Sequence, residues 1–288
     1  MSSAAIQGMH GAFSHAAALQ ALGDDVAIVE CRTFEDLFRS VVEGAADYGI
    51  VPVENTLAGS VQRTMDLLVQ NPLQVVGETR VRVRLCLAAP PGRTLGEVRR
   101  VGSHPVALEQ CLSFFESNPR IRPVTAFDTA GSVRDLIAGD AAYDAAIASE
   151  LAASLYGASV LQREIEDHAG NFTRFLVVGR EAAASGGRGE VAGAAPRERG
   201  TMKTSLAFTL PHQPGSLHRA LGCFARHDVD LARIESRPIP GRPWEYRFYV
   251  DLRGSDEAAE GAALAALRDE VVELRVLGRY PEAAVERD

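Results

Sequence analysis

Hydrophobic and polar positions alternate over the first 180 residues in blocks that predict repeated strand–helix units. Short apolar runs such as 26–29 and 48–53 are separated by segments in which apolar residues have helical spacing. In one such segment five apolar residues mark a single buried stripe: Phe34, Leu37, Phe38, Val41 and Val42. This alternation is typical of an α/β fold with mainly parallel sheets, and its two runs predict two lobes around a cleft.

The pattern changes after residue 200. Residues 204–210 and 246–252 alternate as half-buried strands, and Leu217, Leu221 and Phe224 share one face of a helix. The predicted order over 201–288 is βαββαβ, an α+β ferredoxin-like unit. Between the two parts, residues 181–200 are mostly Ala, Gly, Ser, Glu and Arg, a composition that predicts a flexible linker.

Composition narrows the possible functions. The chain has 288 residues, 46% hydrophobic and 24% charged, with a net charge of −8. Such a length allows two domains with proper cores, and the acidic balance argues against a nucleic-acid partner. An anionic substrate would therefore need a locally positive site.

The cysteines and the apolar runs bear on location. Cys31, Cys86, Cys111 and Cys223 are far apart and form neither a CxxC motif nor a metal-ligand cluster, so we expect reduced core thiols and no metal. The N-terminus has no signal-peptide pattern, and no apolar run approaches the ~20 residues of a membrane span. These features predict a cytoplasmic protein without a membrane partner.

One stretch, residues 171–175, places a hydroxyl beside a guanidinium where an apolar strand begins. Thr173 can donate a hydrogen bond without carrying charge, and Arg174 can hold a carboxylate through two parallel bonds. That pair suits a small dianionic substrate that loses a hydroxyl group. The alternative is structural, since Thr favours strands and Arg at the end of a strand is usually solvated.

Three further polar segments follow predicted strands, where α/β proteins hold ligands. The first contains Ser14 as a predicted helix cap, the second contains Asn55 and Thr56, and in the third either Ser103 or His104 caps a helix that starts at Pro105. Each segment has a simpler explanation, because most helix caps bind nothing.

Taken together, these segments resemble prephenate dehydratases that carry a C-terminal ACT domain, over nearly the whole chain. Six segments match that family's motifs in order: 11–15, 51–56 with Gly59, 103–105, 173–175, 214–217 and 235–238. Each motif is weak alone, but six in register rarely arise by chance. The sequence departs from the usual motifs at Met9-His10, Ser216 and Asp230, and the last two bear on the identity of the effector.

The resemblance implies a two-lobed type II periplasmic-binding-protein-like catalytic region and an ACT domain. The catalytic region would span 1–180, with lobes of about 1–78 plus 164–180 and 79–163, and the ACT domain 201–288. The implied reaction converts prephenate to phenylpyruvate, water and CO2 without a metal or organic cofactor.

Roles within the catalytic region also follow from the resemblance. Thr173 is expected to hydrogen-bond the leaving hydroxyl, and Arg174 to hold the side-chain carboxylate of the substrate. The remaining residues expected at the substrate are Ser14, His15, Asn55, Thr56, Ser103, His104 and Phe175. A proton relay through His15, His104 or water stays open. Neighbouring strand residues point to opposite faces, so Thr173 and Arg174 reach one ligand only if the start of the strand is irregular.

The ACT domain is expected to bind L-phenylalanine as an effector and to form a homodimer or homotetramer. The expected effector residues are Pro214, Gly215, Ser216, Leu217, Asp230, Glu235, Ser236, Arg237 and Pro238. Three alternatives stay open: an ACT domain that serves only for dimerisation, a dehydratase that prefers arogenate, and a non-catalytic binding protein built on the same cleft.

Overall fold

The computed structural model describes residues 2–180, 201–254 and 256–283. The predicted linker at 181–200 lies outside the described residues. The described chain forms two α/β lobes and a C-terminal α+β unit, each with its own sheet.

The first lobe holds a six-stranded sheet in the order β2-β1-β3-β11-β5, with β4 paired to β3. Its strands are β1 (Ser3–Gln7), β2 (Ala27–Cys31), β3 (Tyr48–Asn55), β4 (Gly59–Ser60), β5 (Gln74–Arg82) and β11 (Phe172–Gly179). Its helices are α1 (Phe13–Leu22), α2 (Phe34–Val42) and α3 (Gln62–Gln70). The second lobe holds a five-stranded sheet in the order β10-β6-β9-β7-β8.

The strands of the second lobe are β6 (Cys86–Ala89), β7 (Arg100–Ser103), β8 (Arg122–Thr125), β9 (Ala145–Ala148) and β10 (Ser159–Gln162). Its helices are α4 (Pro105–Glu109), α5 (Leu112–Ser117), α6 (Thr129–Ala138) and α7 (Glu150–Tyr156), with a 3-10 turn at Leu95–Glu97. The C-terminal unit contains β12 (Met202–Thr209), α8 (Ser216–Ala225), β13 (Asp230–Ile239), β14 (Arg242–Arg253), α9 (Glu257–Arg268) and β15 (Glu273–Pro281).

The two-lobed α/β fold and the βαββαβ order are confirmed, but the prediction of mainly parallel sheets is wrong. Strand β1 runs parallel to β2 and β3, whereas β11 runs antiparallel to both β3 and β5. In the second lobe β7 runs parallel to β8 and β9, while β6 runs antiparallel to β9 and β10. The sheets are mixed because the chain returns from the second lobe through β11.

The boundary between the lobes also differs from the prediction. Strand β5 stays in the first sheet as far as Arg82, so residues 79–82 belong to the first lobe. The alternation Val81, Val83, Leu85, Leu87 predicts one strand, but Val81 packs in a core of the first lobe and the other three in the core of the second. The alternation continues across the crossing between the lobes because Val83 and Leu85 are buried while Arg84 between them is exposed.

Two helix starts follow the sequence prediction and one does not. The Thr33 hydroxyl accepts from the backbone N–H of Asp36, and the His104 side chain accepts from that of Val106 at 3.3 Å. Helix α1 starts two residues earlier than predicted, with Ala12 as its cap, so Ser14 is not the cap. Its hydroxyl donates instead to the carbonyl of Gln7.

The C-terminal unit packs on the first lobe through one face of its sheet, whose order is β13-β14-β12-β15. Ala207, Tyr249, Leu277 and Tyr280 lie in one buried cluster with α2 and α3 side chains of the first lobe. The opposite face of the sheet packs on α8 and α9 in a separate core. Within the part of the chain that the structure describes, no helix is long and apolar enough to cross a bilayer.

Candidate active site

Strand β11 presents alternate residues to opposite sides of the first sheet. The register with β3 shifts after Arg174, pairing Thr173 with Asn55 but Phe175 with Pro52, so the irregularity lies in β3 and not in β11. Alternation along β11 therefore holds, and Thr173 and Phe175 share one face. Phe175 lines the cleft between the lobes, and Thr173 lies two residues before it on the same side, partly exposed.

A cavity of about 400 Å³ occupies the cleft. Its walls come from both lobes: Gln7, Ala12, Phe13, Ser14, Pro52 and Phe175 from the first, and His104, Phe127, Asp128 and Thr129 from the second. The cavity thus lies where the carboxyl ends of β1 and β8 lead into α1 and α6. This is the usual place for a ligand in an open α/β sheet.

Two helices of ten residues begin at this cavity. Phe13 and Ser14 are the first residues of α1, and Thr129 follows the cap Asp128 at the start of α6. Free backbone N–H groups and the helix dipole make such ends favourable for anions. No Lys or Arg is among the described residues lining the cavity, so helix ends supply its positive potential.

The Thr173 hydroxyl is held by Asn55 across the strand pair. The Asn55 amide nitrogen donates to it at 3.0 Å, while the Asn55 carbonyl oxygen accepts from the N–H groups of Leu57 and Ala58. A hydroxyl that accepts through one lone pair keeps its own proton for another partner. This arrangement leaves the Thr173 proton available to a further partner on the face of the sheet that also carries Phe175.

Asn171 is a polar residue that the sequence analysis did not assign. It is fully buried, and its carbonyl oxygen accepts from the Asn55 amide at 2.8 Å. Its own amide nitrogen has no hydrogen-bond partner within the described parts of the chain. Its place at the start of β11, two residues before Thr173, was the available sequence signal.

Arg174 does not reach the cleft. Its guanidinium projects from the opposite face of the sheet and bonds Glu78 at 2.7 Å, Asp251 at 2.5 Å and the Tyr280 hydroxyl at 3.0 Å. Burial alone would lower the pKa of Arg174, but the charges of Asp251, Tyr280 and Glu78 raise it above its ordinary value. The predicted contact between Arg174 and a substrate carboxylate is therefore wrong, because regular alternation separates it from Thr173.

Thr56 and Ser103 also lack the predicted role as donors to the substrate. The Thr56 hydroxyl donates to the Gly170 carbonyl and accepts from the N–H of Phe172, so it fixes the turn before β11. The Ser103 hydroxyl is fully buried and donates to the Ile147 carbonyl at 2.6 Å. Both hydroxyls are used in holding strand ends beside the cleft.

The two predicted histidines differ in position. His104 lines the cavity, and because its Nδ1 accepts from a backbone N–H, its Nε2 carries the proton in the neutral tautomer. His15 is buried, and its Nδ1 accepts from the N–H of Gly11 at 2.9 Å. Burial lowers the pKa of His15, and the neighbouring His10 lowers it further. His15 thus holds the glycine turn before α1 in its neutral form.

Three residues of the cavity wall escaped the sequence analysis: Phe127, Asp128 and Thr129. Phe127 is 81% exposed and faces the cleft from the second lobe. The Asp128 carboxylate accepts from the N–H of Gly131 at 2.9 Å and is the cap of α6. The signal was present, since they follow a predicted strand and precede a predicted helix as the assigned segments do.

The predicted effector residues of the C-terminal unit fall into two groups. Pro214, Gly215, Ser216 and Leu217 form the turn into α8, where Gly215 has a left-handed φ of 80°. Strand β13 carries Asp230 at its start and Glu235, Ser236, Arg237 and Pro238 near its end. Since β13 runs back along α8 after a short turn, its end lies toward the start of α8.

Side chains near the end of β13 point to both faces of the sheet. Glu235 accepts from the Ser60 hydroxyl at 2.7 Å, and Arg237 pairs with Asp66 of α3 at 3.0 Å. Both contacts join the C-terminal unit to the first lobe. Ser236 and Pro238 are exposed and, by alternation, face the side on which α8 lies.

Comparisons of the sequence and of the structure with known proteins identify the family of this chain. The sequence model of the prephenate dehydratase family matches residues 4–183. An arogenate dehydratase/prephenate dehydratase of Arabidopsis thaliana is 38% identical over 96% of this chain and 72% of its own. A prephenate dehydratase from Arthrobacter aurescens, solved with L-Phe, is 32% identical with a TM-score of 0.84, covering 97% of this chain and 90% of its own. GqqA, a quorum-quenching acylase, is 34% identical with a TM-score of 0.85, covering 99% of this chain and all of its own. The chain belongs to the prephenate dehydratase family.

Proposed function

We propose that the chain converts prephenate to phenylpyruvate, water and CO2 in the cleft between the lobes. The observation that carries the proposal is the Thr173 hydroxyl, which accepts from Asn55 and so keeps its proton for a ligand. A group that donates a hydrogen bond is what a departing hydroxyl needs. The driving force lies in the substrate, because loss of the ring carboxylate and the hydroxyl makes the ring aromatic.

The ends of α1 and α6 hold the substrate dianion in this proposal. Their free backbone N–H groups, with the hydroxyl of Thr129, offer partial positive charge without a full cation. A guanidinium on the ring carboxylate would stabilise the ground state of a group that has to leave. Only interactions that strengthen in the transition state accelerate the reaction. A cavity without Lys or Arg among its described lining residues suits that requirement.

The chemical step has three linked parts. The carbon–carbon bond to the ring carboxylate breaks, its electron pair enters the ring, and the carbon–oxygen bond at C4 breaks. The leaving oxygen takes a proton and departs as water. Thr173 donates a hydrogen bond to that oxygen, the Nε2–H of His104 offers a second from the other wall of the cavity, and the net proton comes from solvent. Proton donation of this kind contributes typically ~10²–10⁴-fold.

Arogenate remains the alternative substrate, and one side chain bears on the choice. Asp128 is the only carboxylate among the described residues that line the cavity. It would repel the dianionic prephenate and attract the α-ammonium group of arogenate. Turnover of both substrates by the same protein separates the two, and Asp128 should set their ratio.

Two other activities are less consistent with the cleft. The relative GqqA is a quorum-quenching acylase, but no hydroxyl lining the cavity is hydrogen-bonded to an imidazole in the described residues, as an activated nucleophile would be. A non-catalytic binding protein would not need a Thr173 hydroxyl held with its proton free.

The C-terminal unit is proposed to bind L-phenylalanine and to regulate the reaction as a homodimer or homotetramer. Support comes from the relative solved with L-Phe and from the turn into α8 beside the end of β13. Strand β13 lies at the edge of its sheet, and Ile234, Trp244 and Tyr246 are exposed near it, as expected where a second copy pairs. Regulation requires that phenylalanine binds two states of the protein with different affinity.

We propose a cytoplasmic location because the cysteine thiols are free. Cys31, Cys86, Cys111 and Cys223 are all free and buried, and burial raises the pKa of Cys86 to about 12. Unreactive, reduced core thiols are usual in the cytoplasm.

The test is phenylpyruvate formation from prephenate by the purified protein, with and without phenylalanine. Arogenate and an acyl-homoserine lactone serve as competing substrates in parallel assays. Prephenate turnover that falls with phenylalanine supports both the reaction and the regulation. Turnover of arogenate alone, or of the lactone alone, would overturn the proposed reaction in favour of that activity. No turnover of any of them would favour a binding protein.

A further inference from the structure

Arg174 lies on strand β11 immediately after Thr173 and joins the first lobe to the C-terminal unit. Each of its guanidinium nitrogens donates one hydrogen bond: Nε to Glu78, Nη1 to Asp251 and Nη2 to the Tyr280 hydroxyl. Only Glu78 belongs to the first lobe. Arg174 is 8% exposed, so its guanidinium depends mainly on these protein partners.

The partners in the C-terminal unit are themselves fixed. Asp251 is 3% exposed and accepts from the Ser205 hydroxyl at 2.5 Å, and Ser205 lies 2.6 Å from the Tyr280 hydroxyl. On the side of the first lobe, Glu78 also accepts from Lys203 at 3.1 Å. Buried polar networks of this kind are rigid when every member is satisfied. Arg174 is thus held from two sides in one orientation.

A second cavity lies beside the network and offers the Arg174 side chain an alternative position. The cavity measures about 390 Å³ and is lined by Arg174 together with Glu54, Lys203 and Arg233, among others. Glu54 is the β3 residue opposite Arg174 in the strand register, so it lies on the same face. Removal of the Asp251 charge would leave the guanidinium free space on this side, next to Glu54.

Arg174 follows Thr173 directly at the start of β11. Its buried hydrogen bonds fasten this part of the strand to the C-terminal unit, and their loss would loosen it. Displacement of a reacting group by about 1 Å can cost on the order of 100-fold in rate. A looser start of β11 would therefore displace the Thr173 hydroxyl.

We propose that Asp251 is a positioning residue for the reaction, which acts through Arg174 to hold Thr173 in the cleft. The C-terminal unit then completes an active site that none of its described residues lines. The inference rests on the proposed function, in which Thr173 donates to the leaving hydroxyl. It also assigns a role to Arg174, which does not reach the cleft.

The experiment uses the full chain with Asp251→Asn, which keeps the shape of the side chain and removes its charge. We expect kcat for prephenate to fall about 10-fold to 100-fold, with KM changed less than about 3-fold, because no substrate contact is lost. Tyr280→Phe is the milder second variant, since it removes the acceptor for Nη2 and the hydroxyl partner of Ser205 but keeps both carboxylates. We expect it to lower kcat about 3-fold to 10-fold, also without a change in KM.

Arg275→Gln is the matched control. Arg275 also ties the C-terminal unit to the first lobe, through the carbonyls of Val69 and Asn71. It lies five residues before Tyr280 on β15, roughly 16 Å along the strand. Loss of this contact should leave kcat within about 2-fold of the wild type. Equal losses in Asp251→Asn and Arg275→Gln would show general loosening and overturn the positioning role.

A double-mutant cycle tests whether Asp251 acts through Arg174. In an Arg174→Met background, Asp251→Asn should have no further effect on kcat, because the route is already cut. Additive losses would overturn the proposal, as would a wild-type kcat in Asp251→Asn. If the Arg174→Met protein does not fold, Arg174→Gln replaces it in the cycle.

Hydrogen exchange separates this inference from the proposed reaction. Backbone amides at 172–176 should exchange faster in Asp251→Asn than in Arg275→Gln, whether or not prephenate is the substrate. Absence of prephenate turnover in the wild type would reject the reaction, and the exchange comparison would still decide the positioning role. Equal exchange in the two variants would overturn it.

Discussion

The side-chain amide of Asn55 donates a hydrogen bond of 3.0 Å to the hydroxyl of Thr173, its direct partner in the β3–β11 register. The Asn55 oxygen is used elsewhere, by the N–H groups of Leu57 and Ala58. The Asn55 atom that faces Thr173 is therefore the amide nitrogen, which can only donate. It leaves the Thr173 proton for the substrate.

Reversal of this hydrogen bond should lower turnover. Asn55→Asp keeps the oxygen that accepts from Leu57 and Ala58 but turns the donor into an acceptor, so Thr173 would give its proton to the introduced carboxylate. We expect kcat to fall on the order of 100-fold, with KM changed little. Steady-state kinetics with prephenate checks this. A kcat unchanged by the substitution would mean that the Thr173 proton is not used.

Removal of the Thr173 hydroxyl should lower kcat more than reversal of its hydrogen bond with Asn55 does. Thr173→Ala is expected to lower kcat by ~10²–10⁴-fold, and Thr173→Ser, which keeps the hydroxyl, to lower it by far less. Binding should persist in both, because helix ends and aromatic side chains hold the substrate. Isothermal titration with prephenate measures that binding separately. Near-wild-type turnover by Thr173→Ala would reject the assignment.

Replacement of Asp128 should change the ratio of the two substrates. Asp128→Asn retains the cap of α6, because Asn caps helices as well as Asp does. It removes the negative charge from the wall of the cavity. We expect kcat/KM to rise for prephenate and to fall for arogenate, each by about 3-fold to 10-fold, since charges about 4–6 Å apart near a protein surface interact by a few kcal/mol at most. Equal changes for both substrates would show that Asp128 serves only as a cap.

The sequence predicts the elements of this fold better than it predicts the side chains that meet in the cleft. Apolar periodicity and turn residues are local, so the strand–helix order and the βαββαβ unit could be predicted. The role of Arg174 could not, because its partners Asp251 and Tyr280 are distant in the chain and belong to another unit. Because neighbouring residues of a strand point to opposite faces, the sequence did raise the question whether Thr173 and Arg174 could reach one ligand. The structure answers it, since Arg174 points away from the cleft.

Of the residues predicted at a strand end that leads into a helix, Ser14 and His104 line the cavity. The hydroxyls of Ser14, Thr56 and Ser103 are all bonded to carbonyls. Local sequence cannot show that a hydroxyl is already used, since its acceptor comes from another segment. Phe127 and Thr129 were missed because their segment was interpreted only as the connection between a strand and a helix.

Stability should depend on pH through His15. Burial lowers the pKa of His15 below its ordinary value of 6.5, so the unfolded chain binds the proton more readily than the folded one. Its contribution is present in full above about pH 7.5 and is lost as pH falls through about 6.5, by up to about 1.4 kcal/mol per pH unit. Urea unfolding between about pH 8 and pH 5.5 measures the loss.

His15→Asn is the variant for this measurement, because the Asn oxygen can accept from Gly11 as Nδ1 does. We expect the variant to be less stable than the wild type at about pH 8 and the difference to shrink below about pH 6.5. Exposed His218 provides the control, and His218→Asn should follow the wild type at every pH. A constant difference between His15→Asn and the wild type would contradict the role of His15.

Attachment of the C-terminal unit depends on a close backbone approach at Gly278. A Cβ at that position would lie 2.1 Å from the carbonyl oxygen of Val75 on β5, a separation that backbone atoms cannot relieve without moving the two sheets apart. Gly278→Ala should therefore lower the free energy of unfolding by at least the ~1–3 kcal/mol of an overpacked core. Because β15 also carries Tyr280, turnover should fall with it.

Gly261→Ala is the opposite control, since Gly261 lies inside α9 with no atom within 4 Å of the added Cβ. Ala favours the helix, so this variant should gain about 0.5–1 kcal/mol. Guanidinium unfolding followed by tyrosine fluorescence and by circular dichroism gives both values. If Gly278→Ala were as stable as the wild type, the two sheets could separate at no cost, and the coupling of Asp251 to Thr173 would lose its structural basis.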